Sequence, residues 1–211
     1  MSTTTVTDTT PQTATGAAAV LQPLWVRVMH WINAAAMLAM IMSGWQIYNA
    51  APLFDFQFSR AITLGGWLGG GLLWHFAAMW VLVINGMLYV GLGFATGRFR
   101  RKLWPITPSG VISDLSQAVR LRLSHDDLGR YNSVQKLLYA GILLVGVVTV
   151  ASGLAIWKPV QFHMLTALFG GYDTARYVHF FAMTAIVGFL VIHIALAALV
   201  PKALRAIIIG R

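Results

Sequence analysis

Four long segments without any acidic residue constrain the fold of this chain more than any other feature. They run from about residue 24 to 48, 68 to 94, 134 to 156 and 177 to 200 of the 211 residues. A helix of about 20 apolar residues crosses the ~30 Å hydrocarbon layer of a membrane, and lipid offers no partner to the backbone of an irregular segment. Because 58% of all residues are hydrophobic and only 10% are charged, the sequence predicts an all-α integral membrane protein built as a four-transmembrane-helix bundle.

Lysines and arginines lie mainly on one side of the predicted membrane helices. Such residues accumulate in cytoplasmic loops, so we expect both termini to be cytoplasmic in a bacterial inner membrane. The net charge of +9 follows from this bias and from anionic headgroups, and no nucleic-acid partner is expected. The basic residues assigned to the cytoplasmic side are Arg98, Arg100, Arg101, Lys102, Arg120, Arg122, Arg130, Lys202, Arg205 and Arg211, against Arg60, Lys158 and Arg176 on the opposite side.

Four histidines lie inside the apolar segments, and their spacing indicates two pairs. His179 and His193 are fourteen residues apart on the last segment, so both leave one face of a helix with roughly 21 Å of rise between them. Antiparallel neighbours bring the start of the first helix level with the end of the fourth. The segment order therefore predicts that His30 faces His193 near the cytoplasmic surface and that His75 faces His179 near the periplasmic surface.

Two imidazoles at one depth are better suited to haem iron than to zinc. Each predicted pair lacks neighbouring Cys, Asp and Glu, whereas zinc takes three or four protein ligands. Two trans imidazoles complete the axial coordination of an iron porphyrin, and a chain with no cysteine cannot attach haem covalently. We therefore expect two non-covalent haem b groups, with His30, His75, His179 and His193 as the metal ligands. A lone membrane histidine that only donates a hydrogen bond to a neighbouring helix is the alternative at each position.

Smaller signals near these histidines allow two interpretations each. Five glycines lie where a flat macrocycle could approach the backbone, but small residues also serve plain helix packing; they are Gly44, Gly86, Gly141, Gly146 and Gly153. Arg27 precedes His30 by three residues on the same helix face, and it could bind a haem propionate or a lipid phosphate.

A set of these residues resembles the bacterial cytochrome b561 family, from residue 24 to 211. That family includes the membrane cytochrome b subunits of formate dehydrogenase (gamma subunit), nickel-iron hydrogenase and thiosulfate reductase. The resemblance implies a respiratory-chain subunit in which two b haems carry electrons between a periplasmic partner and membrane ubiquinone or menaquinone. The residues that carry it are Arg27, His30, Trp31, His75, Tyr131, Asn132, Gln135, Lys136, His179 and His193.

The resemblance also implies a quinone site beside the cytoplasmic haem. It implicates Asn132, Gln135 and Lys136 as polar groups near a quinone carbonyl. The same residues suit a plain helix start, because Asn132 could cap free amides and Lys136 could extend to headgroups.

The connecting segments carry further expectations. Residues 1–23, rich in threonine, are predicted to be a disordered cytoplasmic tail, and the basic loop 96–130 contains a candidate surface helix beginning near Thr107. His163 is expected in a loop, as is His125. The apolar stretch 157–176 is either a docking surface for a redox partner or a re-entrant turn that seals the outer haem.

Three functions follow from these observations. The leading one is electron transfer through two bis-histidine haems between a periplasmic redox partner, with a molybdenum oxidoreductase as one candidate, and the quinone pool. The first alternative is a stand-alone superoxide:quinone oxidoreductase, which would need a cationic surface near the outer haem. The second is a non-redox helix-bundle transporter or assembly factor.

Overall fold

The computed structural model describes residues 22–97 and 133–210, without the side chains of residues 133–137, 139, 202 and 203. In these ranges all regular structure is helical. The elements are α1 Leu24–Ala50, a 3-10 turn Arg60–Ile62, α2 Leu68–Ala95, α3 Ser133–Trp157, α4 His163–Leu168, α5 Tyr172–Leu199 and α6 Pro201–Ile209.

Four helices are long and apolar enough to cross a membrane. They are α1, α2, α5 and the part of α3 from Ala140 to Trp157, which has a mean hydropathy of 2.2. The predicted four-helix membrane architecture is confirmed on these grounds, and the chain is a multi-pass membrane protein. Residues 51–67 and 158–171 connect helices at one end of the bundle, which we call the loop end. The opposite end, which we call the tail end, carries the start of α1 and the whole of α6.

The four long helices form two hairpins. α1 packs closely along α2, and α3 packs closely along α5, whereas the backbones of the two hairpins approach each other only at isolated points. A repeated sequence underlies this arrangement. Ser43-Gly44 in α1 corresponds to Ser152-Gly153 in α3, and a His-Phe-x-Ala-Met pattern occurs both in α2, from His75, and in α5, from His179. The two hairpins therefore present equivalent histidines from equivalent positions.

Aromatic side chains close the loop end. Asn49 holds the loop after α1, because its amide donates to the Phe58 carbonyl at 2.8 Å and accepts from the Phe58 amide at 2.8 Å. Phe58 in turn stacks on Trp45 with ring centres 4.7 Å apart. Behind this stack lies an apolar cavity of about 420 Å³, lined by Trp45, Phe54, Phe56, Phe58, Phe180, Met183, Thr184 and Val187.

The structure corrects two expectations about helix positions and adds one helix. α5 begins at Tyr172, five residues before the predicted start at 177, because Gly170 and Gly171 with φ of 80° and 105° break the chain there. His163 is the first residue of α4 rather than part of a loop. After α5, Pro201 starts the additional helix α6, which ends at Gly210 in the left-handed conformation. The tail up to residue 21 and the basic loop from 98 to 132, with its candidate surface helix, lie outside the described residues.

Candidate functional site

The four membrane histidines form two facing pairs, in the combination that the segment order predicts. The ring centres of His75 and His179 are 6.5 Å apart near the loop end. Those of His30 and His193 are 6.1 Å apart near the tail end. Each pair includes one residue of α5, His179 or His193. Their separation of fourteen positions corresponds to roughly 21 Å along the helix.

His75 is held by two acceptors on α1. Its Nδ1 lies 3.1 Å from the Ser43 hydroxyl oxygen and 3.2 Å from the Met40 carbonyl oxygen. A carbonyl can only accept, so Nδ1 carries the proton, and the Ser43 hydroxyl donates its own proton to the Ala39 carbonyl at 2.6 Å. This tautomer leaves Nε2 of His75 with a free lone pair, which is the state that binds a metal.

His179 is held in the same way by α3. Its Nδ1 lies 3.2 Å from the Ser152 hydroxyl oxygen and 3.0 Å from the Thr149 carbonyl oxygen. The Ser152 hydroxyl donates to the Val148 carbonyl at 2.7 Å. Ser43 and Ser152 are both completely buried. The two imidazoles therefore face each other with Nδ1 protonated and Nε2 free.

A glycine beside each serine lets the imidazole lie against the helix backbone. A Cβ added at Gly153 would lie 3.1 Å from Cε1 of His179, and one added at Gly44 would lie 3.5 Å from Cε1 of His75. Of the glycines assigned to a macrocycle from the sequence, these two contact a histidine. A Cβ at Gly86, Gly141 or Gly146 meets nothing within 4 Å.

The tail-end pair has different surroundings. His193 stacks on Phe189 with ring centres 5.8 Å apart, and His30 meets Trp31 edge-on at 5.4 Å. Within the described residues, no hydrogen bond to a ring nitrogen of either histidine is found. The polar contact at this level is made by Asn85, which is 5% exposed and donates to the Met29 carbonyl at 2.9 Å and to Asn33 Oδ1 at 2.7 Å.

Arg27 lies one helical turn before His30, and part of its guanidinium contacts α6. Its guanidinium donates to the Ile208 carbonyl at the C-terminal end of that helix. Its Nε is buried and, among the described residues, has no hydrogen-bond partner. A buried N–H of this kind is costly unless an acceptor is supplied, and a carboxylate would supply one.

The predicted quinone contacts lie outside what the structure describes. Asn132 precedes the described part of α3, and the side chains of Gln135 and Lys136 are not among those described. Conversely, sequence reasoning missed Ser43 and Ser152. The repeated Ser-Gly pair and the repeated His-Phe-x-Ala-Met pattern were the available signals.

The spacing of each pair fits two imidazoles that share one metal ion. With a metal–nitrogen bond of about 2 Å, trans imidazoles have ring centres about 6 Å apart. In the described part of the chain, no cluster of three or more His, Cys, Asp or Glu could hold a metal by itself. A porphyrin iron, which needs only two axial ligands from the protein, is therefore compatible with both pairs.

Comparisons with known proteins agree with this chemistry. The family model described as prokaryotic cytochrome b561 matches residues 21–210. The chain is 46% identical over 190 residues to the putative protein-methionine-sulfoxide reductase subunit YedZ1 of Azospira oryzae. The aligned residues cover 90% of this chain and 96% of that protein. No solved structure matches. The chain therefore belongs to the prokaryotic cytochrome b561 family, and as a member it is a multi-pass membrane protein that binds haem b and transfers electrons across the membrane to a partner.

Proposed function

We propose that this chain is the membrane subunit of a protein-methionine-sulfoxide reductase and delivers electrons from membrane quinol to a periplasmic catalytic subunit. His75 and His179 would ligate one haem b, and His30 and His193 a second. The observation that carries the proposal is the geometry of two imidazole pairs, 6.5 and 6.1 Å between ring centres, at two levels of one bundle. When bound, haem b would supply a one-electron iron couple.

The two levels suit conduction across a bilayer. A rise of roughly 21 Å between His179 and His193 covers about two thirds of the ~30 Å hydrocarbon layer. One pair would therefore lie near each surface. The distribution of Lys and Arg favours cytoplasmic termini in an inner membrane, which assigns the loop end and the His75–His179 pair to the periplasmic side.

The residues around each pair would orient the ligands and exclude water. Ser43 and Ser152 hold the two imidazoles of the loop-end pair in one tautomer from opposite helices. At the tail end, Arg27 would bind a haem propionate through its Nε, which has no hydrogen-bond partner among the described residues. The quinone would bind at the same end, where Asn132, Gln135 and Lys136 begin α3.

The relative from Azospira oryzae suggests the direction and the partner. It is described as a putative subunit of a protein-methionine-sulfoxide reductase. Reduction of a sulfoxide to a sulfide and water takes two electrons and two protons, and oxidation of one quinol to quinone releases the same number. We propose that the catalytic subunit docks at the loop end, where Val160, Met164 and Leu168 around α4 are strongly exposed.

The alternatives have less support. A superoxide-binding surface needs positive charge, but the described loop end offers only Arg60, Lys158 and Arg176, and Asp55 and Asp173 offset part of their charge. A non-redox transporter or assembly factor is difficult to reconcile with membership of a haem b family.

The test measures the oxidation state of the haem by its absorbance spectrum in purified protein reconstituted into liposomes. We expect quinol to reduce the haem, and the reductase subunit of the same organism with methionine sulfoxide to reoxidise it. Methionine sulfone, which is not a substrate for this reduction, serves as the control. If superoxide reduces the haem while methionine sulfoxide and the reductase subunit leave it reduced, the stand-alone enzyme is the correct function.

A further inference from the structure

We propose that Ser43 and Ser152 are positioning residues that lower the reduction potential of the loop-end haem by accepting hydrogen bonds from the axial histidines. The inference rests on the proposed ligation of one haem by His75 and His179. It concerns two buried hydroxyls, one on each side of that haem.

The hydrogen-bond geometry makes both serines acceptors toward the histidines. The hydroxyl proton of Ser43 is directed to its own helix, 2.6 Å from the Ala39 carbonyl, and that of Ser152 is 2.7 Å from the Val148 carbonyl. A lone pair on each oxygen is then available to Nδ1–H of the facing imidazole, at 3.1 and 3.2 Å. Each Nδ1–H is shared between this hydroxyl and one backbone carbonyl, that of Met40 or Thr149.

Acceptors on Nδ1–H change the electronic character of the opposite ring nitrogen. They draw the proton away from the imidazole and make Nε2 a stronger electron donor to a metal. A stronger axial donor stabilises ferric over ferrous iron, so the reduction potential falls. Two acceptors on each of two ligands give this site four such contacts.

The tail-end pair lacks this feature in the part of the chain that is described. There, the ring contacts of His30 and His193 are with aromatic side chains, Trp31 and Phe189. We therefore expect the haem at His75 and His179 to have the lower potential of the two. Such a haem is the stronger reductant of the two.

The experiment is an equilibrium redox titration of the purified holoprotein, followed by optical spectra and by electron paramagnetic resonance of the ferric haems. The variants are Ser43→Ala, Ser152→Ala and the double substitution. Thr184→Ala is the matched control, because Thr184 also donates to its own helix, to the Phe180 carbonyl at 2.9 Å, but among the described residues it makes no hydrogen bond to an imidazole.

We expect each serine variant to keep two haems and to raise the midpoint potential of the same single haem, with a larger rise in the double variant. The g-values of that haem should shift toward those of a more neutral imidazole. Thr184→Ala should leave both potentials unchanged. Unchanged or lowered potentials in haem-loaded serine variants would overturn the inference and make the serines structural.

Two further variants keep the test decisive. If an alanine variant does not load haem, Ser43→Cys or Ser152→Cys fills the position with a slightly larger side chain that is a weaker acceptor, and the same outcomes apply to it. His75→Ala identifies the haem concerned. If His75→Ala removes a haem other than the one whose potential the serine variants change, the proposed ligation is contradicted. If His75→Ala removes one haem but the serine variants change neither potential, only the inference about potential is contradicted.

Discussion

Substitution of Gly153 by alanine should disturb the loop-end pair by a distance that can be stated in advance. The new Cβ would lie 3.1 Å from Cε1 and 3.4 Å from Nδ1 of His179, whereas ordinary van der Waals contact begins at 3.4 Å. The ring must therefore retreat by about 0.3 Å. It cannot rotate away freely, because Nδ1 is bonded to Ser152 and Thr149 on the same helix.

The energetic consequence is the difference between two opposing contributions. Overpacking of this kind typically costs about 1–3 kcal/mol, while alanine in place of glycine within a helix gains about 1 kcal/mol. We expect Gly153→Ala to be less stable by up to about 2 kcal/mol and to retain less haem.

Gly44 provides a matched control on the opposite side of the same pair. A Cβ there lies 3.5 Å from His75 Cε1, which is ordinary contact. Gly44→Ala should therefore load haem fully and be as stable as the unaltered protein or more so. Gly146→Ala, with nothing within 4 Å of the new Cβ, measures the helix contribution alone.

The assay compares haem per polypeptide and apparent melting temperature of the three purified variants. We expect Gly153→Ala to have the lowest haem content and melting temperature of the three, and Gly44→Ala to equal or exceed the unaltered protein in both. If Gly153→Ala and Gly44→Ala behave alike, the close approach of His179 to α3 does not constrain the site, and the packing argument is wrong.

Three further substitutions test other parts of the structure. Asn85→Ala should lower the free energy of unfolding by about 1.2 kcal/mol, since it removes two hydrogen bonds between α1 and α2 and each such bond between membrane helices contributes about 0.6 kcal/mol on average; a melting curve unchanged within error would contradict this. Gly65→Asn should prevent correct folding, because at φ 112° a Cβ would lie 2.3 Å from the Gly71 amide nitrogen. Gly66→Asn should be tolerated, because at φ 72° its Cβ would meet nothing within 4 Å. Equal yields of folded protein from the two variants would refute the distinction. Arg27→Gln should speed amide hydrogen exchange in α6, because it removes the hydrogen bond from the guanidinium to the Ile208 carbonyl. Unchanged exchange would show that other contacts hold α6 in place.

The architecture could be predicted from sequence because one physical requirement dominates it. Long uncharged segments must be helical in lipid, and the antiparallel order then determines which ends are level. His75 and His179 meet at 6.5 Å for this reason, with no contact information needed. The start of α5 was predicted at Tyr177, within the apolar segment, whereas the actual boundary is the positive-φ pair Gly170-Gly171.

The inner detail of the site was not predictable in the same way. The repeated Ser-Gly pair distinguishes Ser43 and Ser152 in the sequence, but only the packing of α2 and α5 shows that each hydroxyl lies against an imidazole. Likewise, nothing in the sequence indicates that Arg27 donates to a carbonyl of Ile208, 181 residues away. Such contacts depend on how two elements pack, which residue periodicity within one element does not encode.

The central claim is that each histidine pair ligates a separate haem b. The most direct measurement is haem quantitation with reduced-minus-oxidised spectra on the purified protein and on four variants with alanine in place of each histidine. The account predicts two haems per chain. It also predicts that His75→Ala and His179→Ala lose the same haem, and that His30→Ala and His193→Ala lose the other. One haem per chain, or a loss that groups the histidines differently, would contradict it.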